Sequence, residues 1–208
     1  MATNKEIAEK LKNTSVTETS SEFNKESLYD LISKCEKCRL HSLDTNKQRL
    51  KPWGFVRSLF ILVGQNPSST VDEDNNEFFW KESSNRAIDT NFNLLKNTFS
   101  RVGLDFYTMW KTNAQKCRYS DNSEFDETCF SQCKEAILKK EIDFVDPKVI
   151  FLLGEKVAKS FGIEEKHKLV KKDDVFYCWI YHPSYCLRGG ITKEKYEDQL
   201  SHIEKEIS

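Results

Sequence analysis

Four short apolar runs, each followed by a polar turn and then a stretch with helical spacing, constrain this chain more than any other feature. Leu59–Val63 (LFILV), Tyr107–Lys111 (YTMWK), Lys148–Leu153 (KVIFLL) and Val175–Tyr181 (VFYCWIY) have the length and the branched and aromatic content of buried strands. Leu28, Leu31 and Ile32 mark a helix running from Lys25 into Cys35. Asp89 or Thr90 stands where a cap would precede Leu94, Leu95, Phe99 and Val102, with Gly103 as the stop. Asp126–Phe144 is amphipathic and ends ahead of Pro147, Gly154 opens a helix through Phe161, and Thr192 caps a closing helix. Strands alternating with helices predict right-handed crossovers and an α/β fold: three α/β/α layers around a central four-stranded, mostly parallel sheet. Such sheets gather ligands at the carboxyl ends of their strands. Three polar turns sit there, GQNPSS from Gly64, TNAQKC from Thr112 and HPSYCLRGG from His182.

Length and composition narrow the class. A chain of 208 residues with 38% hydrophobic content builds one core, so residues 25–208 are read as a single domain. Residues 1–24, rich in Thr, Ser, Asn, Lys and Glu, read as a flexible amino-terminal arm with a short helix at Glu6–Leu11. A formal charge of -1 points to neither a nucleic-acid binder nor an enzyme for acidic substrates. The charge is uneven, however. Residues 31–60 carry Lys34, Lys37, Arg39, Lys47, Arg49, Lys51 and Arg57 against Glu36 and Asp44, enough for either a basic face or a solvated surface. Residues 1–30 do not resemble a secretory signal, and no apolar run approaches the roughly 20 residues of a membrane span. Seven cysteines, an odd number without an export signal, argue for thiols or metal ligands in a cytoplasmic protein.

Cys35 and Cys38 form a C-x2-C pair, and Cys117 and Cys133 follow far downstream with 15 residues between them. Two thiolates from one turn and a distant second pair are a common way to close a metal site. Cys129 lies one helical turn before Cys133 and is a substitute ligand, while Cys178 and Cys186 read as small buried apolar residues. On spacing alone zinc, held by four thiolates or by thiolates together with His41, an iron–sulfur cluster and no metal stand level. The turn after Leu59–Val63 lacks both G-x-x-x-x-G-K-S/T and G-x-G-x-x-G, so the nucleotide-binding fingerprints fail.

The order of the motifs carries a resemblance. C-x2-C, then GQNPSS after the first strand, Phe78 at 14 positions past Gly64, KTNAQKC, a cysteine 15 residues on, KVIFLLG and YHPSYCLR together resemble the uracil-DNA glycosylase superfamily. The nearest pattern is that of its iron–sulfur family 4 branch, with G-E-x-P-G, T-N-x-x-K-C and H-P-A/S-Y-x-L-R. The likeness spans about residues 31–190. Gln65 replaces the branch's Glu and is similar to the cluster-free enzymes with G-Q-D-P-Y. Asn66 is similar to the mismatch-specific and single-strand-selective branches with G-x-N-P.

The resemblance implies a monofunctional DNA glycosylase acting on single- or double-stranded DNA as a monomer with no membrane partner, uracil being the default base. It implies a 4Fe-4S cluster on Cys35, Cys38, Cys117 and Cys133. His182 would stabilise charge on the departing base, and Asn66 would align the attacking water. Gly64 and Gln65 would frame the pocket, Phe78 (or Phe79) would stack on the base, and Asn113 would read its edge. Tyr185, Cys186 and Leu187 would fill the gap in the duplex, with Ser68, Ser69 and Arg188 on phosphates. Ser68 stands where cluster-free enzymes carry a bulky Tyr against the 5-carbon. The smaller wall extends the expectation to 5-substituted pyrimidines of foreign DNA and a role in defence. An alternative of another class is a non-catalytic iron–sulfur nucleic-acid-binding module.

Overall fold

The computed structural model describes residues 24–43, 49–67, 90–119 and 125–207. Five strands form one sheet: β1 (Phe60–Gly64), β2 (Trp110–Asn113), β3 (Val149–Leu153), β4 (Leu169–Lys172) and β5 (Val175–Ile180), in the order β2-β1-β3-β5-β4. The β2, β1, β3 and β5 strands are parallel, as the alternation of elements requires, and β4 runs antiparallel to β5 at one edge. The sheet therefore has one strand more than the four expected. The extra strand, LVKK, has no fully buried residue, because an edge strand with solvent beside it needs no apolar run. The second expected strand also shifts. Tyr107 and Thr108 belong to a turn in which Asp105 accepts from both backbone N–H groups, at 2.9 and 3.2 Å, so pairing starts only at Trp110.

Side chains alternate across the sheet with a period of two. Ile61, Val63, Ile150 and Leu152 pack on one face against Leu28 and Ile32 of α1 (Lys25–Ser33) and Val157 of α5 (Glu155–Ser160). Leu62, Phe151, Leu153 and Ile180 pack on the other against Leu95 and Phe99 of α2 (Asn91–Arg101). That is the expected three-layer arrangement. Thr90 caps α2, accepting from the Asn93 N–H at 3.1 Å, and Asn24 caps α1; the alternative cap Asp89 and the rest of the expected arm lie outside the described residues. Between Asp126 and Pro147 the chain is helical throughout, as α3 (Glu127–Cys133), a wide π turn (Lys134–Leu138) and α4 (Lys139–Val145). Short helices α6 (Pro183–Leu187), α7 (Lys193–Glu197) and α8 (Glu204–Ile207) close the chain. No helix among the described residues is long and apolar enough to cross a membrane.

Upstream of β1 the chain straps the outer edge of β2. Trp53 and Lys111 exchange backbone hydrogen bonds of 3.0 and 2.7 Å. The close fit depends on Gly54, whose φ of 142° disfavours a side chain and whose Cβ would sit 2.3 Å from the Met109 carbonyl oxygen. Gly54→Ala is expected to lower stability by about 1–3 kcal/mol, read as an earlier urea midpoint at unchanged slope. Three cations of the basic stretch 31–60 are already engaged. Lys34 pairs with Asp30 and Arg39 with Asp126, both at 2.8 Å, and Arg49 is buried.

Candidate active site and metal centre

His182 leaves the end of β5 as the cap of α6, with Pro183 in the first helical position. Its Nδ1 accepts the backbone N–H of Ser184 at 3.2 Å and lies 2.7 Å from the Ser184 hydroxyl. A backbone N–H can only donate, so the ring proton sits on Nε2. Burial, and secondarily the charge of Arg188, pushes the imidazole down to about 4. At neutral pH the site thus holds an uncharged ring that donates through Nε2. Its Cβ lies 3.5 Å from where a side chain on Gly154 would begin, which places it beside the exit of β3.

The turns after β1 and β2 are laced together. Gly64 and Asn113 are register partners, the Ala114 N–H donates to the Gly64 carbonyl at 2.8 Å, and the Gln115 N–H donates to that of Gln65 at 3.0 Å. Asn113 is buried, while Gln65 and Asn66 are half-buried. The Asn66 carboxamide donates to the Pro67 carbonyl at 2.9 Å. Two strands, β1 and β3, separate Asn113 from the end of β5. At about 4.8 Å per strand the gap is roughly 14 Å, room for two projecting side chains and one planar ring between them. Tyr185 and Leu187 are exposed on α6, next to half-buried Cys186, with Arg188 exposed just beyond, and the Tyr185 ring stacks on Tyr181 at 5.4 Å. Phe78, its fallback Phe79, Ser68 and Ser69 lie outside the described residues.

Cys35, Cys38, Cys117 and Cys133 line one cavity together with His41, the further zinc candidate, and with Arg49 and Lys116. Among the described residues no three His, Cys, Asp or Glu side chains converge as a single ion requires. Zinc asks its thiolates to meet at about 2.3 Å from one centre. Four thiols around one cavity are a donor set that zinc or an iron–sulfur cluster can take. All seven cysteines are free thiols. Burial pushes Cys117 up to about 12 and Cys133 up to about 11, so both are protonated until a cation takes their protons' place.

Against the effect of burial, two neighbours favour negative sulfur. Arg49 hydrogen-bonds Cys117, and the Lys116 backbone N–H donates to Cys133 Sγ at 3.3 Å. Buried Arg49 also donates to the carbonyls of Ile32, at 3.0 Å, and Ser33, while its Nε finds no acceptor among the described residues. The four thiols and the buried Arg49 beside them fit an anionic iron–sulfur centre. Cys129 donates to the Asp126 carboxylate at 3.3 Å, hydrogen-bonds Cys38 and packs against Cys117 without lining the cavity; Cys178 is buried in the sheet core.

A family model of the uracil DNA glycosylase superfamily matches residues 54–204, from the Trp53–Gly54 strap to the start of α8. The chain belongs to that superfamily. It is also similar to the Type-4 uracil-DNA glycosylase of Pyrobaculum aerophilum, 24% identical over 188 residues, which covers 84% of this chain and 90% of that protein. Both matches agree with the resemblance carried by the motifs. The superfamily match includes the three turns at the carboxyl end of the sheet and Cys117 and Cys133, whereas the C-x2-C pair lies upstream of it. Within this superfamily member several residues beside the site have no distinguishing mark in sequence. Ser184 reads as one variable position of H-P-A/S-Y, Arg49 as one more surface cation, and Lys116 as no more than the residue before the Cys of T-N-x-x-K-C. Lys116 recurs in the motif itself, and that was the available signal.

Proposed function

We propose that this protein is a monofunctional DNA glycosylase that extrudes a base from DNA and hydrolyses its N-glycosidic bond, uracil being the first base to test. The observation that carries the reading is the neutral His182 with its proton on Nε2, set at the carboxyl end of a superfamily sheet. Glycosidic cleavage leaves negative charge on the base oxygens, and a fixed N–H donor aimed there lowers the barrier. Asn113, across the sheet, pairs its carboxamide with O4 and N3–H of the base. Phe78 stacks on the base, and Gly64 and Gln65 border it. Tyr185, Cys186 and Leu187 occupy the space that the base vacates, with Arg188, Ser68 and Ser69 on phosphates. No lysine is assigned to attack the sugar, so the product is an abasic site without strand cleavage.

Asn66 aligns the water. A carboxamide takes no proton at neutral pH, so hydrolysis relies on orientation alone. Activity is expected to rise in the order Asn66→Ala, unchanged protein, Asn66→Asp, the first step about 100-fold and the second about tenfold, with DNA affinity nearly constant. Cys35, Cys38, Cys117 and Cys133 would hold a 4Fe-4S cluster. When bound, the cluster supplies structure, tying the amino-terminal segment to the loops that face DNA.

The decisive experiment offers the protein single- and double-stranded oligonucleotides bearing uracil, a thymine mismatch or a 5-substituted cytosine, followed by alkali. Alkali-dependent breaks at uracil are the expected result. No break on any substrate, with DNA still bound, would replace this reading by that of a non-catalytic module. The small Ser68 favours a second reading, in which bulkier 5-substituted pyrimidines of foreign DNA are the preferred substrate and the role is defence. Breaks at uracil alone would remove it.

A further inference from the structure

Lys116 closes the turn that begins at Asn113, and its side chain is sealed inside the protein at 3% exposure. An ammonium has three N–H donors, and here each finds an oxygen: the Thr112 hydroxyl, the Glu141 carboxylate, and the Asn113 backbone carbonyl at 2.8 Å. Glu141 is itself fully buried and accepts from Trp110 Nε1 at 2.6 Å with its other oxygen. The lysine thus reaches back to the last two residues of β2, and a carboxylate fixed to an indole anchors it there. An ion pair shut away from water is a weak source of net stability. Its geometry points to another use.

The helix that carries Glu141 is shaped for this contact. In a regular α-helix, residues eight apart such as Cys133 and Glu141 diverge by about 80° around the axis. The π turn Lys134–Leu138 absorbs one residue and brings them back to within about 20°. Cys133 then meets the cavity and the Lys116 backbone N–H, while Glu141 meets the Lys116 side chain.

We propose that Lys116, held by Glu141, is a positioning residue for base recognition, an inference that rests on the glycosylase reading above. The Asn113 carboxamide can serve uracil or, turned over, cytosine, and which way round it meets the base depends on where the backbone that carries it is held. Lys116 grips that backbone through the Asn113 carbonyl. The Ala114 and Gln115 N–H groups tie the next two residues to β1, and the Cys133 sulfur pins the far end of the turn.

The test is the double variant Lys116→Met/Glu141→Gln, which removes both charges together and leaves Trp110 an amide oxygen. Expected are unchanged iron content, visible spectrum and DNA affinity, with a uracil-over-cytosine excision ratio at least about tenfold lower, mainly through kcat. Exchange of the Ala114 and Gln115 amide hydrogens should accelerate by about tenfold or more. A folded, iron-loaded double variant with the original ratio overturns the proposal. If the double variant does not fold, Thr112→Val removes one acceptor without touching a charge. A roughly threefold fall in the ratio is then expected, and no fall overturns it. If the unaltered protein excises no base, the glycosylase reading fails by itself. Amide exchange in the double variant still decides whether Lys116 holds the turn: unchanged exchange refutes the positioning role.

Discussion

Replacing His182 by Ala is expected to lower kcat for base excision by about 10²–10³-fold while leaving DNA affinity nearly unchanged, measured by single-turnover kinetics beside a binding titration. The loss falls on kcat because the Nε2–H meets charge that develops only as the bond breaks. The same residue sets a pH signature. Its ring titrates near 4 in the folded chain against 6.5 when free, so the unfolded chain binds the extra proton first. Stability is therefore lost as pH falls from about 6.5 towards about 4, and His182→Ala should remove part of that loss. His167, half-buried and also held down to about 4, keeps a further part. Between about pH 5 and 8 the excision rate should show no inflection from His182. An inflection near 6.5 that vanishes in His182→Ala would mean that the ring is an imidazolium in the working site.

The second large effect belongs to the thiols. Cys133→Ala is expected to abolish the brown colour and visible absorption of the purified protein and to destabilise it by more than about 4 kcal/mol, seen as an early thermal transition. Cys129→Ala, one helical turn away, should keep the colour, because that thiol, although it hydrogen-bonds Cys38 as well as Asp126, does not line the cavity. If the outcomes were reversed, the fourth ligand would be Cys129. If both variants and the unaltered protein bound one zinc and no iron, the cluster assignment would fail.

Much of this architecture is legible in the amino-acid order because burial on both faces leaves a mark. Leu59–Val63 and Lys148–Leu153 are continuous apolar runs, since each central parallel strand has a hydrophobic layer above and below. The polar turns that follow them announce the functional end of the sheet. What escapes notice is whatever depends on a distant partner. The edge strand β4 looks like a charged loop, and Asp105 draws Tyr107 and Thr108 into a turn although both favour strands. Lys116, Glu141 and Arg49 look like solvated charges, and only the folded chain shows that each is buried against groups 16 to 25 positions away. The π turn is equally silent, because an extra residue in an amphipathic helix changes its face and not its composition.

The four cavity thiols come from positions 35, 38, 117 and 133. A nascent chain emerging from a ribosome offers two of them early and cannot present the set until Cys133 has been made. Until then the first pair waits, open to oxidants and to stray metals. Synthesis under oxidative stress or copper excess should therefore damage this protein far more than the same insult applied after release.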